Sequence, residues 1–69
     1  MATVPPYDED TEDYMIMFFE TLDEKNRRYY AAVEAKKLGH GGISYISKLL
    51  GLSERTIQRG LDELSKKNS

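Results

Sequence analysis

The 69-residue sequence has no cysteine, a single histidine and only two prolines, which stand side by side as Pro5-Pro6. Without cysteine there is no disulfide and no thiolate zinc site, and the lone His40 has no second ligand at a metal-binding spacing. No apolar run approaches the roughly 20 residues needed to span a bilayer, and no basic segment precedes an apolar one at the N-terminus. These absences point to a soluble, cytoplasmic protein with no membrane partner, no bound metal and no cofactor. A chain this short buries only a modest core, so with nothing to staple it the stability must come from helices packing together.

The formal net charge is −2, which alone argues against a polyanionic partner. Its distribution argues the other way. Met1 to Glu24 holds eight acidic residues and no Lys or Arg, whereas Lys25 to Ser69 holds all ten basic residues against Glu34, Glu54, Asp62 and Glu63. Exposed charges are screened beyond roughly 8–10 Å, so the basic part can attract phosphate although the whole chain is acidic.

Residues up to Asp10 combine Pro5-Pro6 with dense acids, a composition that buries too little apolar area to order itself, and they predict a flexible acidic tail over 1–10. The domain proper is expected over 11–65. Thr11 stands as the N-cap of a first helix, with Glu12 and Asp13 in the first turn. Along it Tyr14, Phe18 and Leu22 form one stripe and Met15 and Phe19 its neighbour, while Ile16 and Met17 point elsewhere. A helix apolar on several sides either lies across the others as core or uses Tyr14 to Phe19 for self-association or contact with another domain. Thr21-Leu22-Asp23-Glu24 has the spacing of a capping box, which would start a second helix. No Gly or Pro separates the two, so one bent helix from Thr11 to Leu38 fits as well. Ala31, Ala35 and Leu38 form a stripe that would let a neighbouring helix approach closely. Tyr29 and Tyr30 point about 100° apart, so at most one fits the centre of the core.

Gly39-His40-Gly41-Gly42 ends this helix, and His40 reads as a solvated loop residue. The Gly41 and Gly42 amides, near the start of the next helix, could receive a phosphate, although the Lys-Ser/Thr ending of a phosphate loop is missing. A third helix is expected from about Ile43 to Leu50, with Ile43, Ile46 and Leu50 inward and Ser44, Tyr45 and Lys48 on outer faces. Ser47 is small where two helices must cross. Gly51 ends the helix because it takes the left-handed conformation without penalty, Leu52 plugs the turn, and Ser53 caps a fourth helix in which Ile57, Leu61 and Leu64 recur at helical spacing. Gly60, in mid-helix, is costly unless something packs closely against it. Ser65-Lys66-Lys67-Asn68-Ser69 has no cap and reads as the start of a linker over 66–69.

A helix, a Gly-Leu-Ser turn and a second helix form the pattern of a helix-turn-helix, which lays its second helix in the DNA major groove. The expected fold is therefore all-α, a three-helix helix-turn-helix domain with one additional N-terminal helix. The outward face of the last helix holds Glu54, Arg55, Gln58, Arg59 and Asp62. Arg and Gln bond bidentately to guanine and adenine edges, which makes Arg55, Gln58 and Arg59 the candidates for base contacts. Candidates for phosphate contacts are Ser53, Thr56, Lys48, Gly41, Gly42, Arg27 and Arg28, with Lys36 and Lys37 as peripheral charge. Arginines in the position of Arg27 and Arg28 are also commonly solvated or paired to acids such as Glu24.

Leu22-Asp23-Glu24-Lys25-Asn26-Arg27-Arg28, Ala31-Ala32-Val33-Glu34-Ala35, Leu38-Gly39-His40-Gly41-Gly42-Ile43-Ser44 and Gly51-Leu52-Ser53-Glu54-Arg55-Thr56-Ile57-Gln58-Arg59-Gly60-Leu61 resemble the N-terminal region of ISAzo-type insertion-sequence transposases. The catalytic part of that family is the Rhodopirellula-type transposase DDE domain. The likeness runs from about Tyr14 to Leu64, and Tyr29-Tyr30 and Glu20-Thr21 depart from the family pattern. The resemblance implies a domain that binds double-stranded DNA at the element's terminal repeats and delivers it to a metal-dependent nuclease domain, whose acidic triad holds two divalent ions. That catalytic domain lies outside this sequence. The twelve acids here are read as tail and helix surface, so no catalytic residue, metal ligand or cofactor is expected among them. Two other readings fit the same residues: a small helix-turn-helix transcriptional regulator, and a helical protein-interaction module that uses the Tyr14 to Phe19 surface.

Overall fold

Helix formation starts earlier than the acidic composition suggests. A computed structural model describes residues 5–67, and in it the first helix, α1, spans Glu9–Glu20, followed by α2 (Glu24–Leu38), α3 (Gly42–Leu50) and α4 (Glu54–Lys67). The described residues contain no strand, and the fold is all-α.

Asp8, in extended backbone, caps α1 by accepting the Thr11 amide at 2.9 Å, so Thr11 is a helical residue and not the cap. The acids that read as a tail occupy the first turn as Glu9, Asp10 and Glu12, where carboxylates are favoured by the positive end of the helix dipole. Hydrogen bonds from Thr11 hold the Asp8 carboxyl below its ordinary value. Tyr7, also within the expected tail, is half-buried; its hydroxyl donates to Glu34 Oε1 at 3.0 Å, and its ring lies 6.4 Å from that of Tyr45. The expectation of a flexible tail is thus corrected for Tyr7 to Asp10, and for Met1 to Val4 it lies outside the described residues.

Two separate helices, not one bent one, follow from the chemistry at Thr21 and Asp23. The Thr21 hydroxyl donates to the Phe18 carbonyl at 2.7 Å and closes α1, while Asp23 caps α2 by accepting the Asn26 amide at 2.8 Å. The Thr21–Glu24 capping box does not form, because its Thr is spent on the preceding helix. Arg27 completes the junction. Its Nε and Nη2 donate to the Phe19 and Glu20 carbonyls at 3.2 and 3.0 Å, and its guanidinium lies 5.1 Å from the Phe19 ring centroid. A cation is thereby placed on the orphan carbonyls at the negative end of α1.

The core is assembled around α2, whose buried Ala31, Ala32 and Ala35 face α3 and α4. Met15 and Phe19 enter from α1, Ile46 and Leu50 from α3, and Ile57 from α4. Complete burial of side chains such as Ile46 and Ile57 stabilises by about 1.5–3 kcal/mol each. Of the two α1 stripes, the Met15 and Phe19 one is core, while Tyr14 and Phe18 are exposed and Leu22 is half-buried. Tyr45 was expected on an outer face, yet it packs against the core and donates its hydroxyl to Glu12, an interaction between α3 and α1 that no local spacing could announce. Burial, reinforced by the Glu12 carboxylate, pushes its pKa up to about 12.

The α3 to α4 turn follows the sequence closely. Gly51 is left-handed at φ 73°, ψ 28° and donates its amide to the Ser47 carbonyl at 3.0 Å. Ser47 adds a second tie, its hydroxyl donating to the Leu52 carbonyl at 2.6 Å. Leu52 packs against the core, and Ser53 Oγ accepts the Thr56 amide at 3.1 Å to start α4. The helix runs on through Lys66 and Lys67, so the linker expected over 66–69 does not begin at Lys66. Cations suit its last turn, and the Lys67 ammonium sits 5.3 Å from the Tyr29 ring centroid. Asn68 and Ser69 lie outside the described residues.

Gly60 sits where α4 crosses α2. A Cβ there would lie 2.8 Å from the Arg28 carbonyl oxygen and 3.1 Å from the Ala32 Cβ. Gly60→Ala, which gains about 1 kcal/mol in an open helix interior, is therefore expected to lower the thermal midpoint. Each 1 kcal/mol corresponds to about 4–8 °C in a domain this small. Melting followed by circular dichroism checks this, and an unchanged or raised midpoint would mean that α2 and α4 stand farther apart.

The Tyr45 contact gives an alkaline signature. Because its folded pKa is raised, the stability contributed by the protonated phenol is complete below the unfolded value of about 10. It is lost as pH rises towards the folded value of about 12. Stability measured across this range should fall more steeply for the parent than for Tyr45→Phe, and parallel curves would exclude the contact.

Candidate nucleic-acid interface

The turn at Gly51 presents α4 with Ile57 and Gly60 inward and Glu54, Arg55, Gln58, Arg59 and Asp62 exposed, as the helical spacing requires. Arg55, on the first turn, has no hydrogen-bond or ion-pair partner among the described residues, and the same holds for exposed Lys48 on the last turn of α3. Gln58 donates to Asp62 Oδ1 at 3.2 Å, one turn along its own helix. Arg59 is held by Glu63, with Nε at 3.3 Å from Oε2, while its side chain stays 68 % exposed. Ser53 and Thr56 bond to each other through their hydroxyls at 2.9 Å, so both serve the cap at the start of α4. Thr56 also lines, with Leu22, Glu24, Arg27, Arg28, Leu52 and Arg59, an open groove between the start of α2 and α4.

Four of the expected phosphate contacts are placed differently. Arg27 is committed to the α1 carbonyls and the Phe19 ring. Arg28 is largely buried, its Nε and Nη2 both 2.9 Å from Glu63 Oε1, and its partner is Glu63 and not Glu24. The Gly42 amide is buried and donates to the Gly39 carbonyl at 2.9 Å, which leaves it nothing to offer a phosphate. Gly41 is exposed, but it shares its hollow with Glu12, Pro5 and Pro6 at the far end of α3, about 13 Å of helix away from Ser53. Ser53, Arg55, Thr56, Gln58 and Arg59 stand at the start and first half of α4 and Lys48 on the last turn of α3, while the glycine loop lies at the other end of α3. His40 is exposed on that loop, and Lys37 pairs with Glu34 at 3.5 Å.

Glu63, absent from the sequence-level site, joins two arginines from different helices. Its burial raises the carboxyl pKa, but Arg28 and then Arg59 outweigh this and hold it below the ordinary value. The Arg59 link was legible as an i,i+4 pair, but the Arg28 link crosses between helices and was not. Tyr29 likewise collects Lys25, Arg28 and Lys67, at 5.7, 5.5 and 5.3 Å from its ring centroid, carrying positive charge from α2 to the end of α4. Among the described residues no group of three or more His, Cys, Asp or Glu side chains is set to hold a metal ion, and no helix is long and apolar enough to cross a membrane.

Because the folded pKa of Glu63 is depressed, its contribution is present above the unfolded value and lost as pH falls through the folded one. Glu63→Gln is expected to lower the thermal midpoint at about pH 7, with the gap to the parent closing at pH values below the depressed folded pKa of Glu63. A gap of the same size at neutral pH and below that pKa would show that the carboxylate charge is not what ties α2 to α4.

Comparison of the chain with models of known protein families, with curated proteins and with solved structures finds no match to any of them.

Proposed function

We propose that this is a helix-turn-helix domain that binds double-stranded DNA by inserting the first half of α4 into the major groove. The observation that carries the reading is Arg55, an exposed guanidinium on the first turn after a doubly tied turn, with no partner among the described residues. A cation in the first turn meets the positive end of the helix dipole, so the helix itself does not favour it there. Gln58 and Arg59 lie on the same face, held by single solvent-exposed contacts to Asp62 and Glu63 that a base edge can replace. Lys48 and Ser53 flank the face and are assigned to phosphates, as are helix N-termini in general. The acids of α1 stand on a helix that packs against α2 and α3 and not against α4.

The resemblance of the sequence to ISAzo-type transposases carries the reading one step further, to the terminal repeats of an insertion element as the DNA bound. A transcriptional regulator would use the same face on operator DNA. Sequences selected by the protein from a randomised duplex pool separate the two. Sites that fall in inverted repeats around the protein's own gene support the transposase, and sites in promoters support the regulator.

On a selected duplex, Arg55→Ala and Arg59→Ala are each expected to cost about 1–3 kcal/mol and to relax one position of the site. The loss should be smaller for Arg59, whose release leaves Glu63 with one arginine instead of two. Titrations by fluorescence anisotropy measure both, and unchanged affinity and preference in the two variants would overturn the assignment of α4.

A further inference from the structure

We propose that the outward face of α1 is a docking surface for a basic amphipathic helix of a protein partner. Tyr14, Met17 and Phe18 stand on this face at 68 %, 54 % and 52 % exposure, while the core takes Met15 and Phe19 from the opposite side. Their i, i+3, i+4 spacing gathers them on one arc. Asp10, Asp13 and Ile16 line a shallow hollow with Tyr14 and Met17, and Phe18 is steadied by an edge-on contact with Tyr30 at 5.2 Å. An apolar patch of this kind on a small domain marks a contact site.

Charge identifies the occupant. Glu9, Asp10, Asp13 and Glu20 are all exposed around these side chains, α1 contains no Lys or Arg, and none of the four acids has an ion-pair partner among the described residues. An apolar strip edged by negative charge without ion-pair partners is the complement of a helix whose apolar stripe is flanked by Lys and Arg. From Asp10 to Phe18 the face is about 12 Å long, which matches about two turns of a partner helix. A second copy of this chain is disfavoured, because an isologous contact would set the same acids against each other, and an anionic lipid surface is repelled by them too. α1 does not touch α4, so the docking surface is independent of the DNA-binding reading and neither needs the other.

The test uses a fluorescein-labelled Leu/Lys peptide of about 18 residues patterned as an amphipathic helix. Its controls are an isomer of the same composition without an apolar stripe, and a Leu/Glu analogue. The patterned basic peptide is expected to bind, shifting the amide resonances of α1 around Tyr14, Met17 and Phe18. Both controls should bind about tenfold more weakly or worse, and the double variant Tyr14→Ser with Met17→Ser should lose a similar factor while melting like the parent. Neutralising Asp10→Asn with Asp13→Asn should weaken binding severalfold, most at low salt. Equal binding of the stripe-less isomer, or full affinity in the double variant, would overturn the proposal. So would a sedimenting dimer that the same double variant dissolves, since a second copy would then own the face.

Discussion

The close crossing of α2 and α4 at Gly60 is the constraint on which the remaining geometry depends. Among the described residues only two side chains of large volume, Ile46 and Ile57, are completely buried, so the fold gains its cohesion from proximity more than from bulk. Ala31, Ala32 and Ala35 on one helix and Gly60 on the other bring the backbones close enough for the Arg28 carbonyl to occupy space a methyl group would need. That proximity fixes the rotation of α4 about its own axis. It also brings Arg28 within reach of Glu63, so an ion pair across the crossing guards the edge of a contact that dispersion and apolar burial have already made.

The basic residues are fewer in effect than in number. Arg27 serves as a cap for α1 and Arg28 as half of a cross-helix pair, and Lys37 and Arg59 each face a glutamate. The positive charge available to a ligand therefore rests on Lys36, Lys48 and Arg55 and on the cluster about Tyr29, which the charge count of the sequence does not resolve. Intramolecular pairing on the surface is weak and replaceable, so Arg59 differs from Arg28 in kind: the first is exposed and can exchange partners, while the second is enclosed.

Where the chemistry is local, the sequence could be read. Gly51, Ser53 and the spacing of Ile57, Leu61 and Leu64 each act within a few residues, and the turn and α4 emerge where those signals stand. The start of α1 and the junction before α2 differ from the local pattern for a related reason: Asp8 competes with Thr11, and Asp23 with Thr21, within two or three positions. Local spacing offers both capping solutions, and only the packing of Tyr7 against Glu34 and of Arg27 against Phe19 selects one. The burial of Tyr45 against Glu12, the pairing of Arg28 with Glu63 and the loss of the Gly42 amide into the loop all join residues through the tertiary fold. No periodicity encodes them. The face of α4 was legible as a set of side chains, but not which of them the domain keeps for itself.

The separation of α1 from α4 by the two helices between them has a consequence for motion through solution. Negative charge gathered on one side and positive charge on another give the molecule a permanent electric moment, although its net charge is small. In the field of a polyanion such a body experiences a torque before it experiences much attraction, and it rotates until α1 trails. That torque is largest while the screening length is long, and it fades as added salt shortens it.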